Sequence, residues 1–527
     1  MEERILMNQV GYRPGDVKHA VLKDGVYDTF KVVDEAGKTV LEGKVTGPVH
    51  NENAGEDNYL ADFSKVSEPG KYYLIAGDVK SEAICVGENV YQDLLYDITR
   101  FFYLQRCGCE IPAELGGKFA HKSCHDTKAR IYGTDTFIDV NGGWHDAGDY
   151  GRYVAPAAMT VAQLLLAYQN SEKLRKLELN IPESGRALPD VLSEIKYELD
   201  WMLKMQDRVT GQVYHKVTCA SFPGFVMPEY ETEELIISPV SVTATATFAA
   251  SLAMASSFYE DYNEAFSKTL LDAAKKAYGA LAGMSMPGGF KNPSDIVTGE
   301  YGDPVDRDEL YWAAAALYQA TGMEQYRKDF EALAKEQIMH GYGWEDVATY
   351  GNLAYLSAQY PKDEALVEAI KKDMTALADK YLEIGKKDSY ECCLDEYKWG
   401  SNLYLAEIGS HLYDAYALTG NEEYLKAAWE QFHYLMGKNP TGYCYVTGYG
   451  YKAPVYPHHR PSVAADSPMP GMLVGGPDCG LHDPDAVEHC TGKPAAKCYI
   501  DVLGSYSTNE VTIYWNSALI YLMLMLK

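Results

Sequence analysis

Gly142-Gly143-Trp144-His145-Asp146-Ala147-Gly148-Asp149-Tyr150-Gly151-Arg152-Tyr153 runs directly into an apolar stretch from Val154 to Tyr168. Two carboxylates three residues apart sit among four glycines and three aromatics. Glycine lets a backbone approach a ligand closely, and aromatic rings offer flat faces to it. Acids that only solvate a surface need no such neighbours. The segment reads as a loop that presents two carboxylates at the floor of a cleft and then enters a helix.

That alternation of polar link and apolar helix recurs through the chain from about Asn89. Apolar periodicity predicts roughly twelve helices. They begin near Val90, Ala155, Leu188, Val240, Tyr262, Asp308, Glu324, Val347, Asp363, Leu403, Glu422 and Glu510. No heptad persists, which excludes a coiled coil. Paired helices in that number can close into a ring of six hairpins, with the long links at 109–153, 208–239, 284–307 and 437–509 gathered at one end. Long links in a compact domain are usually functional, and these hold most of the unusual polar clusters.

Upstream, residues 1–88 read differently. His19-Ala20-Val21-Leu22, Thr29 to Val33 and Lys71 to Ile75 are strand-like, with turn signals at Asp24-Gly25, Glu35 to Lys38 and Glu68-Pro69-Gly70 between them. Short strands with regular turns predict a small β-sandwich at 1–88, ahead of a helical domain at 89–527.

At 527 residues, 47% hydrophobic and 23% charged, the chain is globular and long enough for two or three domains. Its 75 acidic against 47 basic residues give a net charge of −28. That field repels phosphate backbones, so nucleic acid is excluded as a partner and a neutral substrate expected. No run of 18 apolar residues is present to span a membrane. Met1 to Asn8 has no basic start followed by an apolar run, so the expectation is a cytoplasmic protein unless the sequence has been trimmed. Eleven cysteines without a secretion signal read as thiols or metal ligands.

Three separated signatures, in order, resemble glycoside hydrolase family 9, the inverting cellulase family. Gly142 to Tyr153 resembles its paired-aspartate loop; Thr441 to Arg460, ending in Pro457-His458-His459-Arg460, its His-x-Arg signature; and Tyr499-Ile500-Asp501 through Tyr506, Glu510, Thr512, Asn516 and Ser517, its C-terminal signature. Cys444 departs from the second pattern, where a small β-branched or hydroxyl residue is usual, but lies well before the His and Arg. Near the start, Met7-Asn8-Gln9-Val10-Gly11-Tyr12 resembles the opening of the immunoglobulin-like domain that precedes some members. The resemblance implies an immunoglobulin-like sandwich followed by an all-α (α/α)6 barrel.

Inverting hydrolysis needs a protonated carboxyl for the leaving oxygen and an ionised one to activate water on the opposite face, roughly 6.5–9.5 Å apart. The resemblance implies that Asp149 is the base, that Asp146 helps hold the water and that Glu510 is the acid. The residues support this independently. Like charge should keep Asp146 and Asp149 solvated, whereas Glu510 opens the apolar segment Val511 to Leu526, a wall that favours a neutral carboxyl. Taken singly, Asx-turns or a helix first-turn acid would explain these residues as well. The resemblance implies sugar contacts for His458 and Arg460, and for Asp501 and Tyr506 either orientation of Glu510 or binding of sugar. Trp144, Tyr350, Trp399 and Tyr449 are stacking candidates, each with core packing as the plainer explanation.

Cys107, Cys124, His125 and His145 make a plausible tetrahedral zinc set, with Cys109 competing for the place of Cys107. Some family members carry such a site. Thr298 to Glu309 is rich in hard oxygen ligands and resembles the family's calcium loop; Asp308 and Glu309 are the first candidates, with Asp303, Asp306 and Asp346 beside them. Both metals would be structural. Cys479, His482, His489, Cys490 and Cys498 have no recognised spacing.

The expected function is an inverting endo-β-1,4-glucanase acting as a monomer on cellulose-like glucans or cello-oligosaccharides. The alternatives are an exo-acting member releasing cellobiose, glucose or glucosamine, an inactive glycan-binding protein, and a zinc hydrolase. Four protein ligands on the zinc would leave that last reading no open coordination position.

Overall fold

The computed structural model describes residues 4–526. Met1, Glu2 and Glu3, part of the stretch searched for a targeting signal, lie outside them, as does Lys527.

The first strands are β1 (Ile5–Leu6), β2 (His19–Leu22), β3 (Thr29–Asp34), β4 (Thr39–Lys44), β5 (Thr46–Asn51), β6 (Glu56–Asp62), β7 (Gly70–Ala76), β8 (Val79–Lys80) and β9 (Ile84–Val86). They form two antiparallel sheets, one ordered β1-β2-β6-β5 and the other β4-β3-β7-β8 with β9 also paired to β7. Alternation sets the inward face: Phe30 and Val32 are buried where Thr29 and Lys31 are exposed, and Tyr72, Leu74 and Ala76 point the same way. With Tyr12, Phe63 and Ile84 they form this domain's own core. This is the expected immunoglobulin-like sandwich.

Twelve helices of ten residues or more follow: α1 (Gln92–Leu104), α2 (Val154–Asn170), α3 (Asp190–Lys204), α4 (Val242–Tyr259), α5 (Glu264–Leu281), α6 (Arg307–Thr321), α7 (Glu324–Glu336), α8 (Ala348–Ser357), α9 (Glu364–Gly385), α10 (Ser401–Thr419), α11 (Glu422–Leu435) and α12 (Ile513–Met525). The even-numbered ones form an inner ring in which α12 packs on α2, α2 on α4, α4 on α6, α6 on α8 and α10 on α12. They are buried on nearly every side; every residue of α12 is buried. The odd-numbered ones lie outside and are amphipathic. In α5 only Phe266, Leu270, Ala274 and Ala277 are buried, a single face at helical spacing. The fold is an (α/α)6 barrel.

Several expected starts fall within two residues of capping residues. Asn263, Asp363, Asn421 and Thr512 each accept a backbone N–H of the turn that follows. The expectation of a helix from Glu510 is corrected: Glu510 is extended, at φ −73° and ψ 167°, and α12 begins at Ile513. Its carboxylate is therefore not a first-turn acid.

The long links are less irregular than expected. Phe137–Ile138, Ala129–Ile131, Ile236–Ile237, Lys216–Thr218 and Arg152–Tyr153 form one five-stranded sheet in that order, tying link 109–153 to link 208–239. Strands of two or three residues are too short to show alternation, so periodicity did not reveal them.

The sandwich docks tightly on the barrel. Asn8 Nδ2 donates to Tyr91 Oη at 3.1 Å and lies 3.0 Å from His433 Nδ1, and Gln9 Nε2 donates to the Gly442 carbonyl at 2.6 Å. His19 of β2 lies 2.7 Å from Glu391 Oε2 and 2.9 Å from Glu430 Oε1, and the buried Lys438 bonds both carboxylates. Burial opposes protonation of His19, but the two carboxylates prevail and raise it to about 10. Lys438→Met leaves Glu430 facing only His19, so we expect a loss of about 3 kcal/mol, the lower end for breaking a buried pair. Thermal melting checks this: a midpoint several degrees lower is expected, and an unchanged midpoint would mean the domains do not rely on the cluster.

Candidate active site

Three chain segments cross at the barrel mouth. The 142–153 loop is pinned from both sides, because the Asp146 N–H donates to the Gly151 carbonyl at 2.9 Å and the Asp146 carbonyl accepts from Ile513 N at 2.8 Å. The second bond satisfies one of the free N–H groups that begin α12. Glu510 is held by backbone on two sides: His458 and Glu510 form a parallel bridge, His458 N donates to Asn509 O at 2.9 Å, and Gly475 N donates to Glu510 O at 3.0 Å. Arg460 closes the crossing, giving both its backbone N–H (3.0 Å) and its Nη1 (2.9 Å) to the Gly148 carbonyl.

Gly148 allows the approach. A Cβ there would lie 2.0 Å from the His458 carbonyl oxygen and 3.3 Å from Glu510 Oε1. The crossing brings Asp146, Asp149 and Glu510 to one cavity of 490 Å3, walled by Tyr153, Tyr301, Trp344, Tyr404, Tyr514 and Trp515.

The three carboxyls differ in their partners. Burial raises Asp146 well above the aspartate range; the Tyr301 hydroxyl, donating to Oδ2 at 2.5 Å, counters it, and Asp149 adds to the rise. Asp146 is fully buried, so it is not solvated as its shared loop suggested, and its Oδ1 has no hydrogen-bond partner among the described residues. Burial also raises Asp149, but Arg460 and the Gly151 N–H (3.0 Å to Oδ2) favour its charged form. Glu510 is pushed to about 8, first by burial and then by Asp149 and Asp146, with Arg460 opposing. Neighbours thus separate an acid held neutral from one supported as an anion, the arrangement that acid–base pairs need.

The other expected site residues scatter. His458 stands beside Glu510 with its Nδ1 at 2.7 Å from the Leu503 carbonyl, and its ring meets Phe225 edge-on at 5.3 Å. Arg460 is buried and engaged with the Gly148 and Pro223 carbonyls. Trp399 is exposed on the cavity wall, 5.5 Å from the Tyr506 ring, which continues toward His458 at 6.0 Å. Asp501 accepts the backbone N–H of Val455 (2.8 Å) and Tyr456 (2.9 Å) and Asn509 Nδ2 (2.9 Å), so it ties the segment before His458 to the helical turn before Glu510. Tyr350 is not brought to the cleft: it is buried against Trp312 and donates to the Tyr342 carbonyl. Trp144 and Tyr449 are likewise engaged, with Glu194 and Asp97.

Sequence reasoning missed Tyr301, Tyr153, Trp344 and Lys216. Tyr301 lay inside the stretch singled out for oxygen ligands, so its neighbours were the available signal. Lys216 is buried, donates to Thr298 Oγ1 at 2.9 Å and Gly299 O at 2.5 Å, and is lowered to about 7 by burial. It joins the five-stranded sheet to the Tyr301 loop.

Two buried ligand groups flank the site. Cys107, Cys124, His125 and His145 each place a ligand atom within 4.8 Å of the others. Two thiols and two imidazoles gathered so closely fit a soft or borderline cation. His125 Nε2 lies 2.8 Å from Glu231 Oε2, an outer carboxylate that orients the ring. Gln105 joins this group to the catalytic loop, donating to the His145 and Ala147 carbonyls at 3.2 Å. Cys109 is not part of the group. Asp303, Asp308 and Glu309 form the second group, buried, with Asp303 Oδ2, Asp308 Oδ1 and both Glu309 oxygens lacking partners. Orphaned carboxylate oxygens of that kind fit a hard cation. Asp306 and the exposed Asp346 stand outside it.

A paired-carboxyl cleft at the mouth of an (α/α)6 barrel defines a glycoside hydrolase. Residues 91–523 match the Glycosyl hydrolase family 9 profile and residues 1–81 that of the Cellulase N-terminal ig-like domain, and the chain belongs to that glycosyl hydrolase family. It is 38% identical to a cellodextrinase of Butyrivibrio fibrisolvens over 98% of both chains. A mutant thermostable endoglucanase from Alicyclobacillus acidocaldarius superposes with a TM-score of 0.93 at 37% identity, over 100% of this chain and 99% of that one. A Zn-binding triple mutant of a family 9 endoglucanase superposes with a TM-score of 0.92 at 32% identity, over 97% of this chain and 99% of that one.

Gly148→Ala forces the loop off the His458 carbonyl. Turnover is expected to fall by roughly 100-fold, as small misplacements of reacting groups do, and the melting midpoint to fall as well, because main chain must move to admit the methyl. A wild-type kcat would show that the close approach is not needed.

Proposed function

We propose that the protein is an inverting endo-β-1,4-glucanase acting on cellulose-like glucans or cello-oligosaccharides. The observation that carries this is the contrast between Asp149, supported as an anion by Arg460 and the Gly151 N–H, and Glu510, held near 8 without a donor side chain. Glu510 protonates the leaving glycosidic oxygen. Asp149 takes a proton from water on the opposite ring face, so the sugar leaves with its anomeric configuration inverted. Asp146 turns its unpartnered Oδ1 to that water while Tyr301 fixes its other oxygen. Aromatic walls and the exposed Trp399 offer ring faces for the glucan.

Two metals complete the reading. Zinc suits the Cys107, Cys124, His125 and His145 group, a closed four-ligand site that braces the 142–153 loop through Gln105 and takes no part in the chemistry. Calcium suits Asp303, Asp308 and Glu309, next to the Tyr301 loop. Metal analysis of the purified protein is expected to give one zinc per chain, lost in Cys124→Ser together with several degrees of melting temperature. A metal-free wild-type protein would remove the zinc assignment.

A proton NMR time course on cellopentaose tests the function. The expected first product is the α-anomer in mixed lengths; the β-anomer would overturn inversion, and glucose or cellobiose alone at early times would favour the exo-acting alternative. kcat/KM reports the free enzyme's acid and base. It should fall as pH rises through about 8, where Glu510 loses its proton. On the acid side it should fall above the ordinary aspartate range, because Asp149 is raised. A profile flat across pH 8 would remove Glu510 as the acid.

A further inference from the structure

The inner ring has one seam. Neighbouring inner helices pack closely except α8 and α10, and Tyr342 bridges their looser junction, its ring 5.2 Å from Tyr350 and 4.7 Å from His411. Above the bridge the seam opens into a second cavity, of 440 Å3, which shares Trp344, Glu345, Lys398, Leu403 and Tyr404 with the catalytic cavity. Glu407, from the middle of α10, lines it. That residue is only 7% exposed, and its buried Oε1 has no hydrogen-bond partner among the described residues. His340, across the cavity, uses Nε2 on Asp373 at 2.7 Å and leaves a buried Nδ1 unpartnered. Left unmet, such groups cost stability, and the α10 core needs neither of them.

The chemistry narrows the occupant. With Nε2 held by a carboxylate, His340 Nδ1 is an acceptor in the neutral ring, so the cavity offers acceptors and calls for donors. A metal ion needs converging ligands, and among the described residues these groups do not gather as Asp303, Asp308 and Glu309 do. Burial, and then Asp346, raise Glu407 well above the usual carboxylate range against the opposing charge of Lys398, so its carboxyl is held neutral and offers a bare cation little. Uncharged hydroxyl donors on a ring remain, and Trp344 and Tyr381 supply ring faces beside them.

We propose that this seam is a second sugar site, taking one pyranosyl unit of the chain bound in the catalytic cavity, its hydroxyls donating to Glu407 and its ring against Trp344. The unit comes either from a branch on the glucan or from the non-reducing end of a longer linear chain. The proposal rests on the glucanase reading.

Calorimetry in a Glu510→Gln background, where no turnover disturbs binding, tests it with cellobiose, cellohexaose and a xylosyl-branched cello-oligosaccharide. Adding Glu407→Gln or Glu407→Leu should raise Kd about tenfold for the ligand that reaches the seam, the worth of one buried hydrogen bond. Cellobiose binding should stay within twofold. A loss confined to the branched ligand assigns a branch site; a loss confined to cellohexaose assigns the chain end. Equal losses on all three ligands, or none, with melting unchanged, would overturn the seam site. If Glu510→Gln binds none of the three while wild-type enzyme also cleaves none, the glucanase reading falls and the seam site with it.

Discussion

The structure depends on the crossing at Gly148. Loop 142–153 lies more than 300 residues before the two segments it crosses, the one around His458 and the one around Glu510. They meet where the Gly148 carbonyl accepts two bonds from Arg460 and its α-carbon leaves no room for a side chain. Because main chain makes the crossing, the relative placement of Asp149 and Glu510 does not hang on flexible side chains. Preorganisation of this kind lets charge shift during reaction without the protein having to reorganise.

The same crossing shapes the electrostatics. Three carboxyls share an apolar-walled cavity that water would otherwise equalise. Burial raises all of them, so what distinguishes them is the balance of neighbours each finds: Tyr301 against Asp149 for Asp146, Arg460 and a backbone N–H for Asp149, and for Glu510 the charges of Asp149 and Asp146 against Arg460 and the Gly148 N–H. The loops that carry these partners are braced from outside the cavity. The Cys–His group reaches the catalytic loop through Gln105, and the Asp303 group borders the loop of Tyr301.

Among the described residues the sandwich contributes no side chain to the cavity, yet its opening motif is spent on the barrel. Asn8 and Gln9 bond the end of α11 and the turn beyond it, while His19 enters a buried ionic cluster with Glu391, Glu430 and Lys438. The link that begins after α11 leads to His458 and Arg460, so the sandwich steadies the start of the segment that ends at the crossing.

Much was legible in the chain itself. The helices were, because an inner helix that is buried on nearly every side and an outer one with a single apolar face leave different periodic traces, and capping residues mark their starts. The paired aspartates and the later signatures were, because glycines and aromatics around carboxylates are local facts. The two-residue strands were not, since alternation needs length. Nor was the burial of Tyr350, nor the part Tyr301 plays: a tyrosine reads the same in a core and in a cleft until its neighbours are known. The sequence alone determined which residues carry reactive groups and where helices begin. Only the tertiary structure decided which carboxyl stays neutral, because burial and the approach of Arg460 are set by chain segments that the sequence keeps far apart.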